Sequence, residues 1–155
     1  MFYDCNKLEN FNCNNLGNFV AGSIIFSGCS LSAQSVMNIA NSIKDVNSLL
    51  NNAKVITDWT GYRTWDDGCY KHKTSGQYLY VETIDGEKHI SIFGNAGEPG
   101  QIWIDVKSDM SSADLTILST ALDTFAAKGW SVYSDTIPES VSISEDGGEN
   151  TSVYV

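Results

Sequence analysis

The sequence predicts an α+β fold: a short β/α stack of repeated coils, an antiparallel β-hairpin insert and a β-ended C-terminal tail. Three observations predict it. A Phe-x-x-Cys pattern occurs twice, at Phe2/Cys5 and at Phe26/Cys29, 24 residues apart. Asp85-Gly86 sits between two alternating runs, the signal for a two-residue hairpin. A capped, apolar-striped helix between Ser111 and Gly129 is flanked by strand-like runs, as in a β–α–β unit.

The first unit is Ser23 to Lys44. Ile24, Ile25 and Phe26 make a β-branched and aromatic run that suits a buried strand. Ser27 to Leu31 turn the chain. Ser32 is placed to cap a helix, in which Val36, Ile39, Ala40 and Ile43 fall on one face. The helix is expected to run to Val46 or Leu50, with Met37 at the edge of its stripe. Phe2-x-x-Cys5-x-x-Leu8 recurs as Phe26-x-x-Cys29-x-Leu31, with echoes at Leu8-x-x-Phe11 and Leu16-x-x-Phe19. A period of about 20–29 residues is the leucine-rich repeat range. MFYDCNKLENF together with FSGCSLSAQSVMNIANSI resembles the BspA-type leucine-rich repeat surface proteins of gut bacteria and their phages. The resemblance covers residues 1–46, is weaker over 101–133 and fails over roughly 52–100. It implies a leucine-rich-repeat-like stack on a surface-exposed adhesion or virion module. An unrelated α+β domain is the competing reading. In a stack, Cys5 and Cys29 would form a ladder of small buried side chains.

One domain is expected, with coils and first helix over 1–50, the β insert over 51–100, a strand–helix–strand unit over 101–135 and a β tail over 136–155. In the insert, Lys54 to Thr57 reads as a strand. Tyr62 to Trp65 and Cys69 to Lys73 are set to pair around Asp66-Asp67-Gly68. Gln77 to Ile84 and Glu87 to Phe93 flank Asp85-Gly86. That turn puts Val81 opposite Ile90 and Leu79 opposite Ile92. Those four apolar residues are expected on the core, leaving Tyr78, Tyr80, Glu82, His89 and Phe93 outside. Ile102 to Val106 is a strand. Ser111 and Asp114 form a capping box, Lys128 complements the end of that helix and Gly129 supplies its left-handed stop. Trp130 to Tyr133 is a further strand. Val141 to Ile143 and Val153 to Val155 alternate as strands around an acidic turn, Glu145 to Glu149. That turn lacks the ligand order of a calcium loop.

Composition narrows function. With 42% hydrophobic and 18% charged residues, the 155-residue chain is globular in type. Its net charge of −10, from 19 acids against 9 bases, opposes nucleic acid and anionic membrane surfaces. No apolar run is long enough to insert in a membrane. Met1 is followed directly by Phe-Tyr-Asp-Cys, without the basic and apolar regions of a signal peptide. Cys5, Cys13, Cys29 and Cys69 show no C-x-x-C spacing, so neither zinc nor another metal or cofactor is expected.

No catalytic motif is present, and His72 and His89 are the chain's two histidines. A binding surface is easier to assemble. Trp59, Tyr62, Trp65, Tyr70, Tyr78 and Tyr80 crowd the insert, beside Arg63, Asp66, Asp67 and Glu82. Such rings serve strand packing, protein contact or stacking on a glycan. The expectation is a non-enzymatic virion component, a phage tail or fibre protein for assembly or host-surface recognition. A bacterial cell-surface leucine-rich repeat adhesion module, binding protein or glycan, is the alternative. The partners are then other virion or surface proteins, a glycan, or a second copy through the C-terminal strand.

Overall fold

Among the described residues, the chain forms two four-stranded sheets and three helices. The computed structural model describes residues 2–13, 16, 23–95, 100–141 and 152–154, with backbone alone for 94, 95 and 152–154. The elements are β1 (Ser23–Leu31), α1 (Ala33–Ser42), α2 (Val46–Asn51), β2 (Lys54–Ile56), β3 (Gly68–His72), β4 (Gln77–Ile84), β5 (Glu87–Asn95), β6 (Gln101–Val106), α3 (Ser112–Ala127), β7 (Ser131–Ser134) and β8 (Ser152–Tyr154).

The first sheet has the order β1-β6-β7-β8. β1, β6 and β7 run parallel, with Ile24 beside Ile102 and Ile102 beside Val132. Parallel neighbours need crossovers. α1, α2 and the whole insert lie between β1 and β6, and α3 lies between β6 and β7. Ile24, Phe26, Ile102, Ile104 and Val132 are buried in one core with Val36 and Ile39 of α1 and Leu118, Leu122 and Phe125 of α3. On the other face, Trp103 and Tyr133 stack at 4.7 Å. β8 pairs antiparallel with β7, so the C-terminal strand is used within the chain on that side. Of the other expected tail strand, Val141 instead ends a 3-10 turn, Glu139–Val141. Residues 142 and 143, and the acidic turn over 145–149, lie outside the described residues.

A buried carboxylate ties the ends of the parallel strands. Asp105 accepts from the Gly28 amide at 2.8 Å, the Asp135 amide at 3.1 Å, the Thr136 hydroxyl at 3.0 Å and the Ser134 hydroxyl at 3.3 Å. Those bonds offset the cost of taking the charge out of water. They also hold β1 where its register shifts between Phe26 and Leu31.

The first helix stops earlier than its sequence stripe. Ser32 caps α1 by accepting from the Ser35 amide at 3.2 Å. α1 ends at Ser42, Ile43 is extended, and Asp45 opens α2 by accepting from the Ser48 amide at 2.9 Å. The break has a tertiary cause. Ile43 bridges to Leu16, and the Lys128 ammonium donates to the carbonyls of Ala40, Asn41 and Ile43 at 2.8, 3.0 and 3.0 Å. Lys128 thus serves the end of α1 rather than its own helix. α3 starts with the Ser111/Asp114 capping box. It closes with Trp130 N–H on the Phe125 carbonyl and Gly129 N–H on Ala126, a Schellman end with Gly129 at φ +86°. The Trp130 indole, fully buried, donates to the Lys44 carbonyl at 2.9 Å.

The N-terminal segment runs alongside β1. Phe2 N–H meets the Ile25 carbonyl at 2.9 Å and Asp4 N–H meets Ser27 at 2.6 Å; Ser30 and Ser32 amides donate back to Leu8 and Glu9. The Phe2 ring stacks on Phe26 at 5.2 Å, and Phe11 meets both rings edge-on at 5.4 and 5.1 Å. The thiol ladder does not form. Cys29 is buried and donates to the Phe2 carbonyl at 3.0 Å, whereas Cys5 is exposed. Phe2 to Cys5 close a turn, and this bend carries the second thiol outward.

The insert forms the second sheet, order β2-β3-β4-β5. Tyr62 to Trp65 is not a strand. Gly61, at φ +79°, leads into a 3-10 turn over Tyr62–Thr64, bonded from Thr64 N–H to the Gly61 carbonyl. β3 therefore pairs parallel with β2 and antiparallel with β4. Asp85 and Gly86 both have positive φ, +51° and +82°, which a type I′ turn requires. The register sets Val81 opposite Ile90 and Leu79 opposite Ile92. The assignment of faces is overturned. Leu79 and Val81 are buried, but in a small cluster with Tyr70, apart from the main core. Ile90 and Ile92 are exposed. Tyr78, Phe93 and Cys69, on the opposite face, join the main core. Rings that size fill the space the helices leave, so the aromatic side faces inward.

Two substitutions and a control test this packing. Phe26→Ala removes a fully buried ring and is expected to cost about 3–5 kcal/mol, read by denaturant unfolding. Lys128→Met strands the carbonyls at the end of α1 and is expected to cost about 1–3 kcal/mol. Lys73→Met, at an exposed turn, is expected to stay within about 0.5 kcal/mol of the parent.

Candidate binding surface

The six aromatic residues singled out in the sequence do not form one patch. Alternation along β4 sends Tyr78 and Tyr80 to the face of the insert that packs on the main core. Tyr78 is buried and stacks on Phe93 at 5.7 Å. Tyr80 is half-buried, its hydroxyl 3.2 Å from the Lys44 ammonium, which also lies 3.7 Å from Glu82. That trio is a strut between the helical layer and the insert. Tyr62 lies in the 3-10 turn with the Arg63 guanidinium 5.4 Å from its ring centre.

The other three share the outward face. Trp65 packs on Tyr70 at 4.5 Å, and the Tyr70 hydroxyl donates to the Asp66 carbonyl at 2.7 Å. Trp59 packs on the His72 ring at 5.0 Å. Both tryptophans are half-buried over the cluster of Tyr70, Leu79 and Val81, with Ile56 alongside. The same face continues across β5 to Ile90 and Ile92, 38% and 60% exposed. It is an apolar strip with a buried floor, an aromatic rim and an open edge.

Sequence reasoning missed that open edge. Its signal was present in β4, where Tyr78, Leu79, Tyr80 and Val81 are apolar on both faces. Such a run marks a strand covered on both sides, with one covering layer supplied by the core and the other by the tryptophan loop. That loop packs over Leu79 and Val81, and Ile90 and Ile92 on β5 stay exposed.

Electrostatics anchor the rim. Asp67 accepts from the Thr83 hydroxyl at 2.7 Å, the Thr83 amide at 3.0 Å and the Lys88 ammonium at 2.9 Å. Thr83 and then Lys88 draw its carboxyl down to about 2. Burial pushes the Cys69 thiol up to about 11 and raises Cys29 as well, which suits packing rather than nucleophilic chemistry. His72 Nδ1 accepts from the Thr74 and Ser75 amides at 3.2 and 3.1 Å and so caps the β3–β4 turn. His89 is exposed and pairs across the hairpin with Glu82. Among the described residues, no three His, Cys, Asp or Glu side chains converge as a metal site. No helix there is long and apolar enough to cross a membrane.

Comparison with protein-family models, with curated proteins and with solved structures returns no match.

The pH response of the rim follows from Asp67. A folded carboxyl near 2, against an ordinary value of 3.8, adds stability that is complete above about pH 4 and is lost as pH falls through 2. The Asp67 carboxyl carbon is expected to titrate near 2 by NMR. Asp67→Asn is expected to flatten the acid side of the stability curve. For the thiols, a disulfide reagent at pH 8 is expected to label Cys5 first, and Cys29 and Cys69 after unfolding. Fast labelling of Cys69 in the folded protein would contradict its burial.

Proposed function

We propose that the chain is a non-enzymatic recognition and assembly protein that makes its contacts through the outward face of the insert. One observation carries this reading: Trp59 and Trp65 stand half-exposed on a buried floor, beside exposed Ile90 and Ile92. Interface centres are rich in Trp and Tyr held in place by packing beneath them. Apolar strips of this kind on soluble proteins mark contact sites.

The setting is taken from the repeat resemblance: a phage tail or fibre component, with a bacterial surface adhesion module as the alternative. Support for a leucine-rich-repeat-like stack comes from the N-terminal strip. Phe2 lies on Phe26, residues 2–9 bond along residues 25–32, and Leu16 bridges in parallel to Ile43. Equivalent residues of the two Phe-x-x-Cys units therefore lie side by side at their phenylalanines, and part company at the thiols. A protein partner is favoured over a glycan because the exposed members of the strip are isoleucines, which offer no group to match sugar hydroxyls. The glycan reading draws on Trp59 beside His72, a flat apolar face next to a polar ring.

Binding of labelled protein to bacterial cells tests the proposal. Trp65→Ala and Trp59→Ala are each expected to weaken binding about tenfold or more, with the circular dichroism spectrum unchanged. Unaltered binding by both folded variants would sink it. Loss of binding after protease treatment of the cells identifies a protein ligand, and loss after periodate identifies a glycan.

A further inference from the structure

The most exposed apolar residues on the outward face lie on an edge strand. Among the described residues β5 is the last strand of its sheet, and its nine residues, Glu87–Asn95, have no strand beyond them. The two-residue turn makes Ile84 and Glu87 a hydrogen-bonded pair. Backbone direction then alternates. Glu87, His89 and Ser91 turn their N–H and C=O groups to β4, while Lys88, Ile90 and Ile92 turn theirs to the open edge. The residues with outward backbone groups are thus the same ones whose side chains extend the apolar strip.

Edges of this length are normally guarded by a proline, an outstretched lysine or a bulge. β5 contains no proline. Its lysine, Lys88, is folded back onto Asp67 at 2.9 Å and leaves the edge uncovered. The hairpin's register irregularity places one extra residue in β5 past Ile92, where Gln77 pairs with Asn95, and leaves the edge from Lys88 to Ile92 regular.

We propose that β5 pairs antiparallel with β5 of a second copy of this chain, joining two four-stranded sheets into one of eight strands. The proposal rests on the reading of the outward face as a contact surface and names one of its partners. The residue pattern selects one register, centred on Ser91. Ile90 then lies opposite Ile92 of the second copy and Ile92 opposite Ile90, as hydrogen-bonded pairs on the apolar face. A register two residues shorter in sum sets Ile92 against Lys88, and one shifted further sets Lys88 against Lys88, a like-charge pair that destabilises. The chosen register is two-fold symmetric, so it closes at a dimer and does not grow into a fibre. Net charge of −10 on each copy opposes the approach, and salt screens that repulsion. The dimer should therefore tighten as salt is added.

Sedimentation velocity of the full chain, across a concentration series at low and high salt, tests this. A monomer–dimer equilibrium that tightens with salt is expected. Ile92→Lys is expected to weaken it about tenfold or more without lowering the melting temperature at dilutions where the chain is monomeric, because Ile92 is exposed in the single chain. Ser91→Cys, placed in a Cys5→Ser, Cys13→Ser background, is expected to cross-link to itself on oxidation, since non-hydrogen-bonded partners sit about 4.5 Å apart at Cα. His89→Cys in the same background is not. A monomer at every concentration, a dimer indifferent to Ile92→Lys, or cross-linking at His89→Cys instead of Ser91→Cys would overturn the proposal. Trp65→Ala keeps the two ideas separate. It should lose binding to cells while still dimerising, so either reading can fail alone.

Discussion

Residues 128 to 130 hold the layers of this protein in place. The Lys128 ammonium satisfies carbonyls of Ala40, Asn41 and Ile43 that the end of α1 leaves open. The Lys128 carbonyl accepts from the Val46 and Asn47 amides at the start of α2. Gly129 has a backbone that L side chains rarely adopt, and a Cβ there would also lie 2.7 Å from the Asn47 side-chain oxygen. Trp130 fills the space under the Lys44 carbonyl, and its ring lies so close to Gly100 that no larger residue fits there. Burial pulls the Lys128 ammonium below its ordinary value, with Asp45 acting the other way. One tripeptide thereby fixes the break between α1 and α2, the stop of α3 and the entry to β7.

Everything beyond depends on that break. Because α1 ends at Ser42, the chain turns through Lys44 into α2 and delivers β2 to the side of the helical layer. Lys44 then meets Tyr80 and Glu82, while Cys69, Tyr78 and Phe93 extend the main core into the insert. The inward face of the insert is spent on that attachment. Among the described residues, the short tryptophan-bearing loop packs over Leu79 and Val81 on its outward face, while Ile90 and Ile92 stay exposed. Among the described residues, the exposed strip borders the outer edge of β5.

Two polar centres divide the work. Asp105 gathers β1, β6 and the end of β7 through four hydrogen bonds. Lys128 gathers the helix ends. Asp105 is a charge removed from water and kept by well-placed partners, while Lys128 is half-buried and holds three carbonyls. Both lie away from the outward face, which leaves that face free to vary without loss of the framework.

Local chemistry made several parts legible in the sequence. Ser32, Ser111 with Asp114, and Gly129 marked helix ends because caps are bonds between near neighbours. Asp85-Gly86 set the hairpin register because a two-residue turn leaves one way to pair. The composition of the insert showed that aromatic rings would matter, but not on which face. What the tertiary structure alone decided was long-range: Lys128 ending a helix 85 to 88 residues away, β3 taking β2 as a parallel neighbour, Cys5 turned out while Cys29 turned in. It also decided which face of β4 met the core. A strand apolar on both sides carries no preference of its own. The choice fell to whichever surface the helices left open, and that surface is made by residues far along the chain.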